Sequence, residues 1–144
     1  MKLKALVVDD SRVMRNIVMQ TLRHAKLAEF EFTEAEDGQD ALAKLQSAKP
    51  EIVFCDWNMP RLTGIEFVRH VRSSSANDHI PIVMVTSEKS MGKIMDATDR
   101  AGADAYICKP FTAEELQQKL TKIIEGLGQR KPAGGFFSKL LGGS

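Results

Sequence analysis

Residues 52–60, IVFCDWNMP, begin as an apolar run and end on a carboxylate, a tryptophan, an amide and a proline. A continuously apolar run is typical of a strand that is covered on both faces. Further runs of this kind are found at 5–8 (ALVV), 82–85 (IVMV) and 105–108 (AYIC). Segment 29–33 (EFEFT) alternates charged and aromatic residues instead, which predicts an edge strand with one wetter face.

Amphipathic stretches with the helical repeat separate these runs. Their apolar faces are formed by Val13, Met14, Ile17, Val18 and Leu22; by Ala41, Leu42 and Leu45; by Ile65, Val68 and Val71; by Met91, Ile94, Met95 and Ala101; and by Leu116, Leu120, Ile123, Ile124 and Leu127. Thr63 with Glu66, and Thr112 with Glu115, match the capping box of a helix start. Strict alternation of strands and helices predicts a parallel sheet with right-handed crossovers. We therefore expect an α/β fold: a doubly wound, five-stranded parallel sheet with helices on both faces.

Composition and charge limit the class of protein. A chain of 144 residues can close one hydrophobic core, and a formal net charge of +1 gives no electrostatic reason to expect nucleic acid as a partner. No apolar segment approaches the roughly 20 residues that span a bilayer, and the first apolar run ends in two aspartates without a cleavage-like site. We expect a cytoplasmic monomer with no membrane or nucleic-acid partner.

The cysteines and histidines do not indicate a zinc site. Cys55 and Cys108 are not in a CxxC pair and each lies in an apolar run, which predicts two buried apolar residues. His24, His70 and His79 lack the i, i+4 spacing of metal-binding helices and are predicted to lie at the surface.

Polar side chains stand at the ends of four of the predicted strands. Asp9 and Asp10 follow the first run, and Asp56, Thr86 and Lys109 follow the last three. In a doubly wound sheet, ligands bind outside the carboxyl ends of the strands, where the winding direction reverses. We expect these acids, the hydroxyl and the ammonium to converge on one rim of the sheet.

Each of these residues also has a purely structural interpretation. Asp9, Asp10 and Ser11 could cap the helix that follows them, and Asp56 could begin a turn. Thr86 could be another cap, and the lysine could be a solvated loop residue.

Taken together, however, the acids indicate a metal site. Three close carboxylates would repel one another unless a cation lay between them. Hard oxygen ligands without cysteine or histidine suit Mg²⁺ better than zinc or copper. A metal, a nucleophilic carboxylate and two groups able to contact phosphoryl oxygens are the components of aspartyl-phosphate formation.

The motifs LVVDDS, EAEDGQDAL, DWNMP, MVTSE, AGADAYICKPF and KLTKIIEGLG resemble, in this order, those of the receiver domain of two-component response regulators. Among these, the chain is most similar to the single-domain chemotaxis regulators. The resemblance implies the flavodoxin-like strand order 2-1-3-4-5. We expect a receiver domain over residues 1–128 and a Gly-rich C-terminal tail over residues 129–144 with a short amphipathic segment, FFSKLL.

The resemblance also implies the roles of the rim residues. Asp56 would accept a phosphoryl group from a phosphohistidine on a sensor histidine kinase. Asp10 and Asp56 would ligate Mg²⁺ through their side chains, Asn58 through its main-chain carbonyl, and Asp9 through a coordinated water. Lys109 would pair with a phosphoryl oxygen.

The resemblance also implies that Thr86 and Tyr106 act together as a switch. Thr86 would hydrogen-bond another phosphoryl oxygen, and Tyr106 would follow it inward as a rotameric switch, a local charge event that biases a bistable element. The alternative for Tyr106 is a half-exposed aromatic on an edge strand. Asn58 and Glu88, two residues beyond the acceptor and the hydroxyl, would modulate dephosphorylation and give a fairly short-lived signal. A cis peptide bond before Pro110 is implied as well.

The implied output is binding to a separate protein. The residues after Gly126 are too few and too glycine-rich to form a DNA-binding domain, so the resemblance implies a protein target such as a flagellar motor switch protein, with a phosphatase as a further partner. The apolar residues of the tail either dock on the domain or a partner, or form an extension without that role: Phe136, Phe137, Leu140 and Leu141.

Three alternatives remain open at this point. The first is a phosphorelay intermediate or another single-domain regulator. The second is a phosphatase of the haloacid dehalogenase type, which would need a catalytic acid where this chain has Asn58. The third is a scaffold that keeps a relic acidic site. We expect a switch that undergoes phosphotransfer and autodephosphorylation only, and not an enzyme.

Overall fold

The computed structural model describes residues 1–56, 62–87 and 102–130, without the side chains of Thr86, Gln129 and Arg130. The strands are β1 (Lys2–Val8), β2 (Glu29–Ala35), β3 (Ile52–Cys55), β4 (Ile82–Thr86) and β5 (Ala105–Cys108). The helices are α1 (Arg12–Ala25), α2 (Gly38–Ala48), α3 (Gly64–Arg72) and α4 (Ala113–Arg130), with a short 3₁₀ turn at Ser75–Asn77. The helix predicted around Met91 and Ala101 lies outside the described residues.

The five strands form one parallel sheet in the order β2-β1-β3-β4-β5, as predicted. All four residues of the central strand β3 are buried, whereas β2 lies at an edge and alternates in exposure. Strand β1 is longer than the apolar run 5–8, because its ladder with β2 begins at the pair Lys2↔Glu29. Because the exposed Lys2 and Lys4 alternate with apolar residues here, the continuous apolar run begins only at residue 5.

Helices cover both faces of the sheet, which confirms the doubly wound architecture. On one face, α2 and α3 pack on the sheet through residues that include Leu45, Phe67 and Val71. On the other face, α1 and α4 pack through residues that include Leu22 and Leu120. Burial of these side chains on each face contributes about 1.5–3 kcal/mol apiece.

The apolar face predicted for α1 is only partly buried. Val18 and Leu22 are buried, but Val13 is 67% exposed and Ile17 is 43% exposed. Because α1 begins at the carboxyl end of β1, its first turns stand beside the rim, and the stripe that reaches the core starts later. Met19 completes that stripe.

Both predicted capping boxes are present. The backbone N–H of Thr63 donates to Glu66 at 3.0 Å, and the N–H of Glu66 donates to the Thr63 hydroxyl at 3.2 Å. The backbone N–H of Thr63, and then its hydroxyl, hold the pKa of the Glu66 carboxyl below its ordinary value. Thr112 and Glu115 make the same reciprocal pair, with both distances at 3.2 Å.

Arg72, the last residue of α3, ties three segments together. Its guanidinium donates to the carbonyls of Gly102, Asn77 and Ile80 at 3.0, 2.9 and 2.7 Å, and to Oδ2 of Asp104 at 2.8 Å. The same oxygen of Asp104 accepts the N–H of the first residue of β4 at 2.8 Å. One side chain thus connects α3 with the entries to β4 and β5.

The exposure of the cysteines and histidines follows the sequence prediction at every position except Cys108. Cys55 is buried and His24, His70 and His79 are exposed, as expected; Cys108 is only half-buried, because β5 is an edge strand.

Helix α4 continues to Arg130, past the predicted domain end at residue 128, and residues 131–144 lie outside the described part. The boundary and the docking role of the tail stay predictions. None of the helices in the described part of the chain could span a membrane.

Candidate functional site

Neighbouring strands bring three carboxylates together at the rim. Asp9 and Asp10 follow β1 and Asp56 follows β3, and these two strands pair in parallel with their last residues, Val8 and Cys55, opposite each other. One oxygen from each carboxylate lies within 4.8 Å of the others. Asp9 and Asp56 are 3% and 8% exposed, whereas Asp10 is exposed. The predicted convergence of these acids is confirmed.

Lys109 reaches the same rim from β5. Its Nζ lies 3.2 Å from Oδ2 of Asp9 and 3.4 Å from Oδ1 of Asp56. The strand that carries it is separated from β3 by β4, and the long lysine side chain spans this gap. The peptide bond between Lys109 and Pro110 is cis, as the resemblance implied.

Asp9 is fixed through both its backbone and its side chain. Its N–H donates to the carbonyl of Ala35 at 3.1 Å, and its Oδ1 accepts the N–H of Ser11 at 2.8 Å. Its carbonyl accepts from Nη1 of Arg15 at 2.6 Å. The capping interpretation holds for Ser11, whose hydroxyl accepts the N–H of Met14 at 3.2 Å. Asp9 therefore helps to shape the start of α1 and also belongs to the acidic rim.

Arg15 is a neighbour of the rim that was not predicted from the sequence. Its guanidinium also donates through Nε to Oε1 of Glu34 in β2 at 2.9 Å. The only signal in the sequence is an arginine one helical turn beyond the cap, and this signal is weak because most such arginines are solvated.

The donor set fits a hard divalent cation. Among the described residues of this rim, three carboxylates carry three formal negative charges against the one positive charge of Lys109, and two of the carboxylates are almost completely buried. Buried charge is costly unless it is paired. Oxygen-only ligands of this kind suit Mg²⁺, which is commonly held by one or two carboxylates and retains several waters.

The structure describes only part of the predicted switch. Thr86 ends β4 opposite Cys108 of β5, but its side chain is outside the described part, as are Asn58 and Glu88. Tyr106 is buried and belongs to the core cluster on the α2 and α3 face. The interpretation of Tyr106 as a half-exposed aromatic is therefore wrong, because its ring packs on this face although β5 is an edge strand. Its role as a switch stays a prediction.

A groove of about 390 Å³ opens beside Lys109. Its lining is mainly apolar and includes Met14 and Ile17 of α1 and Pro110 and Phe111 from the segment before α4. The exposed apolar residues at the start of α1 thus border the acidic rim.

Cys55 lies directly behind the rim and is not a nucleophile. Its thiol is buried and Sγ donates to the carbonyl of Asp56 at 3.3 Å. Burial, and then the negative charges of Asp56 and Asp9, raise the pKa of the Cys55 thiol well above its ordinary value. The thiol therefore keeps its proton at neutral pH.

Comparison with known proteins agrees with the fold. The Chemotaxis protein CheY of Pseudomonas aeruginosa is 42% identical over 123 residues, which cover 85% of this chain and 97% of that protein. Chemotaxis protein CheY-3 of Vibrio cholerae is 40% identical over 125 residues, which cover 87% of this chain and 94% of the relative.

Solved structures and family profiles lead to the same assignment. The structure of Vibrio cholerae chemotaxis protein CheY4 matches with a TM-score of 0.70 and 41% identity, covering 82% of this chain and 95% of the other. Residues 5–121 match the family described as response regulator receiver domain. This match, together with strands in the order 2-1-3-4-5 that deliver three aspartates and a lysine to one rim, shows that the chain belongs to the response regulator receiver domain family.

Proposed function

We propose that this receiver domain is a phosphorylation-activated switch of a two-component system that acts in chemotaxis and flagellar motor control. The observation that carries the proposal is the position of Lys109, whose ammonium lies 3.4 Å from Asp56 and 3.2 Å from Asp9. A carboxylate beside an acidic metal site and an ammonium has both a nucleophilic oxygen and a partner for an incoming phosphoryl group.

In the proposed reaction, an oxygen of Asp56 attacks the phosphorus of a phosphohistidine on a sensor histidine kinase. The O–P bond forms as the P–N bond breaks, the electron pair returns to the imidazole nitrogen, and that nitrogen takes up a proton. Lys109 pairs with one phosphoryl oxygen as a charge-assisted donor, and the hydroxyl of Thr86 contacts another. Asp56, Lys109 and Thr86 are the proposed catalytic residues.

The acidic rim supplies the metal ligands of this proposal. Asp10 and Asp56 would hold Mg²⁺ through their carboxylates, Asn58 through its main-chain carbonyl, and Asp9 through a water. When bound, Mg²⁺ offsets the negative charge of the carboxylates and of the phosphoryl oxygens.

The proposed output is a changed protein-binding face and not turnover of a substrate. Phosphorylation would draw Thr86 inward and let Tyr106 move with it, which alters the surface formed by β5, α4 and the helix predicted around Met91 and Ala101. The target would be a flagellar motor switch protein, and Asn58 and Glu88 would set how fast the signal decays, with or without a phosphatase partner. The chemotaxis names of the relatives support this reading, and the site of action would be the cytoplasm.

The acceptor role can be tested with the single tryptophan, Trp57, which adjoins Asp56 in the sequence. In the presence of Mg²⁺, acetyl phosphate or beryllofluoride should change the Trp57 fluorescence of the wild-type protein and leave that of Asp56→Asn unchanged. Mass spectrometry should show one added phosphoryl group on the wild type only. A protein that acquires no phosphoryl group would refute the proposal and favour the scaffold.

The output can be tested by affinity capture from the native extract with and without beryllofluoride. Recovery of a motor protein only with beryllofluoride would support the switch, whereas passage of the phosphoryl group to a histidine protein would favour a phosphorelay. Sustained release of phosphate from a phosphate ester by the pure protein would instead favour the alternative that the protein is a phosphatase.

A further inference from the structure

Arg15 connects the acidic rim with the end of β2. Its Nη1 donates to the carbonyl of Asp9 at 2.6 Å, and its Nε donates to Oε1 of Glu34 at 2.9 Å. The Arg15 side chain is only 12% exposed, although most arginines extend into solvent. The planar guanidinium is thus held by two acceptors, one in the segment that follows β1 and the other in the neighbouring strand β2.

The carbonyl that Arg15 binds belongs to the peptide group between Asp9 and Asp10. Because a peptide group is planar, the direction of this carbonyl also sets the direction in which the chain continues to Cα of Asp10. The N–H and both carboxylate oxygens of Asp9 are held by other contacts. For Asp10, by contrast, the described part of the chain supplies no hydrogen bond or ion pair to the carboxylate.

The charge of Arg15 has the opposite effect on a cation. A guanidinium beside the rim repels a divalent ion, so its charge alone would weaken metal binding. The carboxylate of Glu34 forms an ion pair with the guanidinium and offsets part of its positive charge. Position and charge therefore predict effects of opposite sign when the arginine is replaced.

We propose that Arg15 is a positioning residue of the metal site, which orients Asp10 through the Asp9–Asp10 peptide group while Glu34 holds the guanidinium in place. The proposal rests on the metal binding that belongs to the proposed function. The α1–β2 contact would then contribute a share of the site's affinity for the ion, although neither Arg15 nor Glu34 would touch the ion.

The test measures binding of Mn²⁺ to the full chain by electron paramagnetic resonance of the free ion, with Mg²⁺ as competitor. Arg15→Gln should bind both ions roughly tenfold more weakly, the usual size of such an effect from residues that orient metal ligands. Arg12→Gln is the matched control, because Arg12 is exposed at the start of the same helix and carries the same charge. This control should bind the ions as tightly as the wild type or more tightly.

A second variant guards against a simple loss of folding. Arg15→Lys keeps the charge but cannot bridge two acceptors with a planar fork, and it should also bind Mn²⁺ more weakly. If both variants melt like the wild type and bind the ion as tightly or more tightly, the positioning role is wrong while the metal site stands. If the wild type itself binds no Mn²⁺ or Mg²⁺, the metal site and this role fail together.

Discussion

The ammonium of Lys109 lies against two of the carboxylates that would hold Mg²⁺. Its Nζ contacts Asp9 and Asp56, so the ammonium and the metal ion repel each other and compete for the same two carboxylates. Lys109→Gln should therefore tighten Mg²⁺ binding by about 1 kcal/mol, roughly fivefold in Kd. Without metal, the variant should lose about 1–3 kcal/mol of stability, because two buried carboxylates lose their counter-charge. Urea unfolding at increasing Mg²⁺ measures both quantities.

Lys122→Gln is the control for this experiment. Lys122 is exposed on α4, so its replacement removes one charge without touching the rim. Equal Mg²⁺ stabilisation of Lys109→Gln and the wild type would show that the ammonium does not compete with the ion.

Because of Cys55, the free energy of unfolding should fall as the pH rises in the alkaline range. Its thiol pKa is raised in the folded protein, first by burial and then by the charges of Asp56 and Asp9. The unfolded chain therefore ionises first, so this contribution to stability is complete below the ordinary thiol pKa of 9.0 and is lost as the pH rises above it. The expected slope of the free energy of unfolding is about −1.4 kcal/mol per pH unit.

Replacement of this cysteine should remove that slope. Cys55→Ala is expected to be less stable at neutral pH, because it leaves a small cavity, but its stability should depend less on pH above about pH 9. Cys108→Ala keeps the buried thiol and should retain the wild-type slope. Denaturant unfolding under reducing conditions gives both profiles, and parallel profiles for Cys55→Ala and the wild type would contradict the prediction.

At the scale of elements, the first turns of α1 expose apolar surface beside Asp56, the proposed acceptor. Val13 and Ile17 are exposed, and Ile17 also lines the groove next to Lys109. A phosphohistidine that reaches Asp56 must be carried by a protein surface that covers this rim. We therefore expect the phosphodonor protein to cover the start of α1.

Ile17→Glu should separate docking from chemistry. Transfer from the cognate kinase should fall roughly tenfold, as for loss of an apolar contact at an interface, while the reaction with acetyl phosphate needs no docking and should stay within about twofold. Gln20→Glu adds the same charge to an exposed position of α1 and should affect neither rate. Equal losses with both donors would place the effect in the site and not in docking.

At the scale of the whole molecule, Arg72 links elements that lie far apart in the sequence. Its bonds join the end of α3 to the entries of β4 and β5. Arg72→Met leaves three carbonyls and Asp104 without this donor and should cost roughly 2–4 kcal/mol in the free energy of unfolding. Arg69→Met, at an exposed position of the same helix, should stay within about 0.5 kcal/mol of the wild type in urea unfolding. Similar values for the two variants would contradict this linking role.

The alternation of elements made much of this fold predictable from the sequence. Asp9, Asp56 and Lys109 could be placed on one rim because the carboxyl ends of parallel strands meet at the same edge. Helix starts could be placed at Thr63 and Thr112 because a capping box is a local signal.

Features that depend on tertiary placement were missed or misjudged. The contact of Arg15 requires the register that brings Val7 opposite Glu34, and this pairing has no local signature. The exposure of Val13 and Ile17 depends on where α1 crosses the rim and not on the apolar repeat. Tyr106 is buried on an edge strand for a similar reason: the packing of its neighbours decides its exposure, whereas the strand's own pattern does not.

The rigid setting of Asp9 has a consequence for time as well as for affinity. Its N–H, its carbonyl and both carboxylate oxygens are engaged before an ion arrives, so little reorganisation is left for this residue when the ion enters. Mg²⁺ gives up its coordinated waters reluctantly. For Asp9, the pace of loading would then be set by the hydration shell of the ion and not by movement of this residue.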